Sequence, residues 1–160
     1  MRDISSKAAP GVLARVTPGH PCRATVDGVD VIVGGRPLIA DVGATHWQGE
    51  DAANGTTFKQ NGEPAARIHA NQLFDQDGIP VLRVAENGDI SDQTARLLRR
   101  ARQTPEGVRI EGVVDPSIAL LVSNTDNLTL AAMLTATREA APVLRALAAC
   151  HYLLPDAIKP

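Results

Sequence analysis

The sequence predicts an α+β protein, with an N-terminal β-hairpin repeat module followed by a small mixed α/β C-terminal segment. Three observations lead there. Between residues 12 and 90, short apolar runs are separated by the pairs Asp27-Gly28, Gly34-Gly35, Asn54-Gly55, Asn61-Gly62, Asp77-Gly78 and Asn87-Gly88. Such pairs tolerate the positive φ that tight hairpin turns need. Within the runs, apolar residues fall on alternate positions, as in Val29, Val31 and Val33, which is the period of a half-buried strand. After residue 90 this punctuation ceases and longer Leu-, Ala- and Arg-rich stretches begin.

Taken in order, residues 1–11 read as an N-terminal arm. Arg2 and Lys7 precede no apolar stretch of signal-peptide length. Residues 12–90 are the hairpin module, with strands at Cys22–Val26, Val29–Val33 and Val81–Val84. The module is internally repetitive. Residues 27–37 align without gaps on residues 54–64, and Phe58 to Ile68 align on Phe74 to Val84. The candidate structural positions are the turn glycines Gly28, Gly35, Gly55, Gly62 and Gly78, with Pro37, Pro64 and Pro80 two residues past a glycine. A proline has no N–H to give, so each should face a sheet edge or a gap in the ladder. Repeats of this kind bury little alone and are expected to stack on copies of themselves.

Residues 91–160 form the α/β segment, read as the assembly or attachment part. Ser91 is placed as the N-cap of a helix from Asp92 to about Gln103, with Arg96, Arg99 and Arg100 on one face. Val108–Val114 and Ile118–Val122 read as strands. Asn124 or Asp126 caps a helix running to about Ala140, and Pro142 opens a last helix that ends before Pro155. Leu128–Leu154 is too interrupted by Arg138, Glu139, Pro142 and Arg145 to span a membrane.

Composition narrows the function. A chain of 160 residues with net charge −2 presents no whole-molecule field for nucleic acid or an anionic membrane. Aromatics are 2%, namely Trp47, Phe58, Phe74 and Tyr152, so a stacking platform is not expected and the core must come from Ala, Val, Leu and Ile. The two cysteines, Cys22 and Cys150, read as reduced thiols in a cytosolic setting. No Gly-x-Ser-x-Gly elbow, phosphate loop or His-Glu-x-x-His occurs, so no catalytic residues are expected and the protein reads as a non-enzyme. Cys150 reads as a core residue and His151 as a helix-end cation. Asp75, Asp77 and Asp89 read as turn residues rather than a calcium loop.

One metal constellation stands out. His20, His46 and His69 lie eight or nine residues ahead of Gly28, Gly55 and Gly78. Hairpins stacked about one axis would converge these imidazoles, with Cys22 as fourth ligand, into a closed tetrahedral zinc site. Loop histidines exposed at turns are the more economical reading, so no cofactor is expected and zinc is the one candidate. The stripe Arg96, Arg99, Arg100 and Arg102 is the one local basic run, read as a solvated helix face rather than a nucleic-acid contact.

Residues 35–43 and Asn61 to Ile68, with Pro64-Ala65-Ala66-Arg67, resemble the repeats of PAAR proteins, the conical tips of phage-tail and secretion spikes. The resemblance covers roughly residues 12–84 and implies a structural zinc near the point. This chain departs from it in having one Pro-Ala-Ala-Arg copy, no Gly-Asp after Ile68 and no Cys near His69. Phe74 to Ile90 is similar in style to the short repeats of phage tail fibres, head fibres and capsid decoration proteins. That likeness implies a non-enzymatic structural component of a bacteriophage-type particle, assembled in the host cytoplasm and resident in the virion. Its partners would be itself, as a homotrimer sharing a thin aliphatic core, and other virion proteins, with no small-molecule substrate or membrane span. The alternatives are a zinc-stabilised PAAR-like tip and a small cytosolic regulatory module using an Arg96–Arg102 helix.

Overall fold

The computed structural model describes residues 4–8, 11–19, 21–34, 38–115, 119–136 and 139–157, and among them fourteen strands precede two helices. The strands are β1 (Ile4–Ala8), β2 (Gly11–Thr17), β3 (Cys22–Val26), β4 (Val29–Val33), β5 (Ile39–Val42), β6 (Thr45–Ala52) and β7 (Gly55–Gln60), then β8 (Glu63–His69), β9 (Gln72–Asp75), β10 (Pro80–Val84), β11 (Asp89–Ser91), β12 (Leu97–Thr104), β13 (Gly107–Gly112) and β14 (Ala119–Ser123). The helices are α1 (Leu128–Leu134) and α2 (Pro142–Ala157).

All fourteen strands lie in one sheet, in the order β4-β3-β2-β1-β14-β13-β12-β11-β10-β9-β8-β7-β6-β5. The order is that of a meander with one splice, where β1 pairs antiparallel with both β2 and β14. The two end strands, β4 and β5, are consecutive in sequence, and Gly34 N–H donates to the Ile39 carbonyl at 2.8 Å, so the sheet rolls round until its ends touch.

Burial alternates along the strands, as in Cys22, Ala24 and Val26 on β3, and gives the roll one apolar face. A fourteen-stranded roll is too wide for its own side chains to fill, the more so when Ala14, Ala24, Ala40, Ala66 and Ala101 line it. The helices fill it. Helix α1 packs on β10, β12 and β13, and α2 packs on β2, β3 and β4. From there α2 reaches the other arm of the sheet, where the His151 ring meets Phe58 edge-on at 6.3 Å and the Tyr152 hydroxyl donates to the Ala70 carbonyl at 2.7 Å. Residues 130–134 and 145–150 are buried throughout.

The coarse expectation of an α+β chain is compatible with this architecture, which is mostly β-sheet with two short helices. Several finer expectations are not. Residues 4–8 are not an arm but strand β1, the splice between the two halves of the sheet. The boundary at residue 91 falls inside the sheet, because β11 pairs directly with β12. The helix expected over Asp92 to Gln103 is instead a turn followed by β12. Both edges of β12 are taken by its sequence neighbours β11 and β13, and this sheet pairing overrides the helical propensity of Leu, Ala and Arg. Ser91 is no N-cap. The Asp92 carboxylate accepts from Thr94 N–H at 2.9 Å, the Thr94 hydroxyl at 2.8 Å and Arg96 N–H at 3.1 Å. These bonds, the Thr94 hydroxyl foremost, hold Asp92 below the usual carboxylate range.

Helix α1 is capped by Asn127, which accepts from Leu130 N–H at 2.9 Å, rather than by Asn124 or Asp126, and it stops at Leu134. Helix α2 opens at Pro142 as expected but continues past Pro155, since a proline in the last turn forgoes only one ladder bond. His151 therefore sits inside α2 and not at its end.

The sequence repeats do not map onto equivalent faces. Gly28 occupies a turn at φ 81°, whereas its aligned partner Gly55 is the first residue of β7. Phe58 points into the core, whereas Phe74 is partly exposed and carries the Arg67 guanidinium 4.0 Å above its ring. The thin core that partner chains were expected to complete is likewise corrected. The second apolar layer comes from α1 and α2 of the same chain.

Candidate functional site

Strands β4 and β5 each pair on one side only, with β3 and β6 respectively. Between them lies a cleft of about 430 Å³ lined by Val29, Val42, Trp47, Gln60 and the first turn of α2, Pro142 to Leu144. Trp47 forms part of this wall while remaining 6% exposed. On the outer faces of the same two strands, Ile32 and Ile39 are 51% and 40% exposed. The seam thus joins two strand edges that meet through the Gly34–Ile39 bond without a continuous ladder, exposed isoleucines and a cleft, a combination that invites contact with another chain.

The zinc constellation is not assembled by its described members. Cys22 is fully buried on the inner face of β3. His46 points outward from β6, its Nδ1 2.7 Å from Asp41 Oδ1 on β5, and His69 is exposed at the end of β8. Alternation puts Cys22 and these imidazoles on opposite faces of the sheet. His20 lies outside the described residues. Among the described residues no group of three His, Cys, Asp or Glu side chains gathers.

The arginine stripe is divided by the same alternation. Arg99 points inward, 5% exposed, and pairs with Glu139 in the segment between the helices. Arg100 and Arg102 point outward and pair with Asp89 at 3.3 Å and Glu111 at 3.1 Å, while Arg96 lies exposed in the turn before β12. Arg100, Arg102 and Glu111 line a polar cleft of about 540 Å³ with Glu86, Asn87 and Gln103. Carboxylates and guanidiniums interleave there, so the surface is not a basic one.

Three contacts missed in the sequence join the helical layer to the sheet. Besides Arg99–Glu139, Arg145 of α2, 3% exposed, pairs with Asp27 in the β3–β4 turn. Arg99 Nε, Glu139 Oε2 and Arg145 Nε lack a hydrogen-bond partner among the described residues. The third contact is between the cysteines. Cys150 Sγ donates to Cys22 Sγ at 2.8 Å, with both residues wholly buried. Donation to Cys22 and burial push the Cys150 thiol up, and acceptance of that bond lowers Cys22. The signal for the ion pairs was present: Glu139 and Arg145 interrupt an apolar stretch, and a charge there requires a partner. The cysteine contact had no signal, because neither spacing nor pattern relates residues so far apart.

The structural positions fall into two kinds. Gly28, Gly62 and Gly78 have φ of 81°, 85° and 80° with open space where a Cβ would stand. Gly55 instead opens a strand and has no room for one. Pro64 and Pro80 lie in interior strands beside register shifts, opposite Lys59 and Phe74, where the ladder is already irregular. Gly35 and Pro37 lie outside the described residues. Asp75 Oδ1 accepts from Asp77 N–H at 2.9 Å and Ile79 N–H at 3.0 Å, which is turn chemistry. No helix among the described residues is long and apolar enough to cross a membrane. No family model matches the chain, and neither a curated protein nor a solved structure matches it.

Proposed function

We propose that this protein is a non-enzymatic structural component of a bacteriophage-type particle that joins its neighbours as a finished folded unit. The observation that carries the reading is the occupation of the roll by the chain's own helices. Interior volume that in other β-rolls holds a ligand is filled here with Leu, Ala and Met, so the outer face and the seam are left to act. The charged and sulfur groups inside are engaged in holding the helices. The resemblance of residues 74–90 to fibre and decoration repeats supports the same setting. It enters now without the intertwined core, since a self-filled unit assembles by surface contact.

The seam is the surface that fits a second copy of the chain. Beyond the Gly34–Ile39 bond no ladder joins the facing edges of β4 and β5 among the described residues, and Ile32 and Ile39 add apolar area that a solitary domain gains nothing by exposing. The decisive experiment is quantitative mass spectrometry of particles released from the source strain. Recovery at the copy number of a structural protein is the expected result. Confinement of the protein to cell extract, with none in purified particles, overturns the proposal. Light scattering of the purified chain tests the contact itself. Oligomers are expected that dissociate on Ile32→Lys with Ile39→Lys, and a concentration-independent monomer would exclude the seam.

A further inference from the structure

The chain has two cysteines, and they meet across 128 residues of sequence. Cys22 opens β3 at one end of the sheet, and Cys150 lies in the middle of α2. Both side chains are wholly buried and their sulfurs meet each other. What sulfur adds is bond-forming chemistry. At 2.8 Å the two Sγ atoms need to approach by only about 0.8 Å more to reach disulfide length.

We propose that Cys22 and Cys150 form an intramolecular disulfide, a redox-sensitive staple that fastens α2 inside the roll. The oxidant is a low-molecular-weight disulfide of the glutathione class. The Cys22 thiolate attacks one sulfur of the oxidant, forming a mixed disulfide and expelling one small thiolate. The Cys150 thiolate then attacks the Cys22 sulfur and expels the second. Two protein thiols are oxidised, one small disulfide is reduced to two thiols, and the two protons pass to the leaving thiolates. Both sulfurs are out of reach of solvent, so the first exchange takes place while α2 is lifted from β3, either in an opening fluctuation or before the helix docks during folding. The second exchange is intramolecular and is driven by the packing that brings the sulfurs together. The closed loop runs from β3 to α2 and holds twelve of the fourteen strands. The staple is independent of what the particle reading assigns to the outer surface.

The test uses the wild-type chain in a mixed oxidised and reduced glutathione buffer, incubated once as native protein and once during refolding from urea. In at least one arm the intact mass should fall by two hydrogens, both thiols should resist alkylation after denaturation, and a Cys22–Cys150 linked peptide should appear. The oxidised monomer should melt roughly 10 °C above the reduced one, reversibly with dithiothreitol. Bonding in the refolding arm alone also supports the staple and places its formation before docking. Two alkylatable thiols after both incubations overturn it, and so does a disulfide that leaves the melting temperature unchanged or lowers it. Cys22→Ala with Cys150→Ala should melt like the reduced wild type and gain nothing from oxidant. The comparison of oxidised with reduced wild type stands even where that variant folds poorly.

Discussion

Replacing Gly55 by alanine asks how much of this fold depends on strands that approach too closely for a side chain. Gly55 begins β7 at φ 111°, and a Cβ built on it lies 2.1 Å from the Ile68 carbonyl oxygen, 2.9 Å from the Ile68 carbonyl carbon and 3.0 Å from His69 Cα. Relief of that overlap requires β7 and β8 to part by about 1 Å, enough to break a ladder bond. The lost bond costs about 1 kcal/mol, the groups it leaves unsatisfied about 1–3 kcal/mol, and the positive φ about 1 kcal/mol, for a total of roughly 3–5 kcal/mol. Gly62→Ala is the matched control. Its φ is 85°, but nothing lies within 4 Å of the added methyl, so only the conformational cost of about 1 kcal/mol applies. Urea unfolding followed by the fluorescence of Trp47, the chain's one tryptophan, reads both variants, since Trp47 is buried on the strand next to β7. Unchanged m-values are required for the comparison. If the two substitutions cost the same within about 0.5 kcal/mol, the close approach of β7 to β8 is refuted.

Gly107→Ala should behave like Gly55→Ala by the same assay, because its Cβ would stand 2.1 Å from the Val122 carbonyl oxygen, and a cost near that of Gly62→Ala would contradict the pairing of β13 with β14. Arg99→Met should cost about 3–5 kcal/mol by leaving Glu139 buried without its partner, whereas Arg99→Met with Glu139→Leu should recover most of that loss; a double variant no better than the single refutes a buried pair. Tyr152, the chain's one tyrosine, has its pKa raised by burial, so absorbance near 295 nm should show no tyrosinate as pH passes about 10 while the fold holds. A neutral form favoured by folding contributes stability that is complete below the unfolded pKa of about 10 and is lost as pH rises beyond it, so urea midpoints should fall above that pH in the wild type and less in Tyr152→Phe.

The short strands were legible because their signals are local. Cys22–Val26 and Val29–Val33 carry the alternation and the Asp27-Gly28 turn on adjacent residues, and both strands stand at the bounds their pattern predicts. The 97–104 stretch was illegible because its composition points to a helix although its pairing is just as local. Its two leucines, three arginines and one alanine suit a helix, and the partners that make it a strand lie in residues 89–91 and 107–112. The role of β1 was hidden by distance, since pairing with β14 joins residues more than a hundred positions apart. The metal constellation rested on turn spacing taken as a common axis, yet spacing alone does not say which face of a strand a side chain occupies: among the described residues Cys22 faces inward while His46 and His69 are exposed.

The Ala-rich interior that admits two helices also leaves them poorly indexed. Leucine and phenylalanine knobs fix the register of a helix against a sheet, whereas alanine on both surfaces permits close approach but many nearly equal positions. Directional contacts resolve that degeneracy here. Arg145–Asp27 locates the first turns of α2 along the β3–β4 end, Cys150–Cys22 its middle, the Tyr152 hydroxyl its approach to the β8–β9 turn, and Arg99–Glu139 the segment that leads into it. Three of these contacts lie on α2 and the fourth at its entry, so sliding α2 by a single turn would break the three together. Buried charges that add little net stability thereby select one arrangement of the helical layer. The residues with the most chemical character inside the roll are those that hold its filling in place.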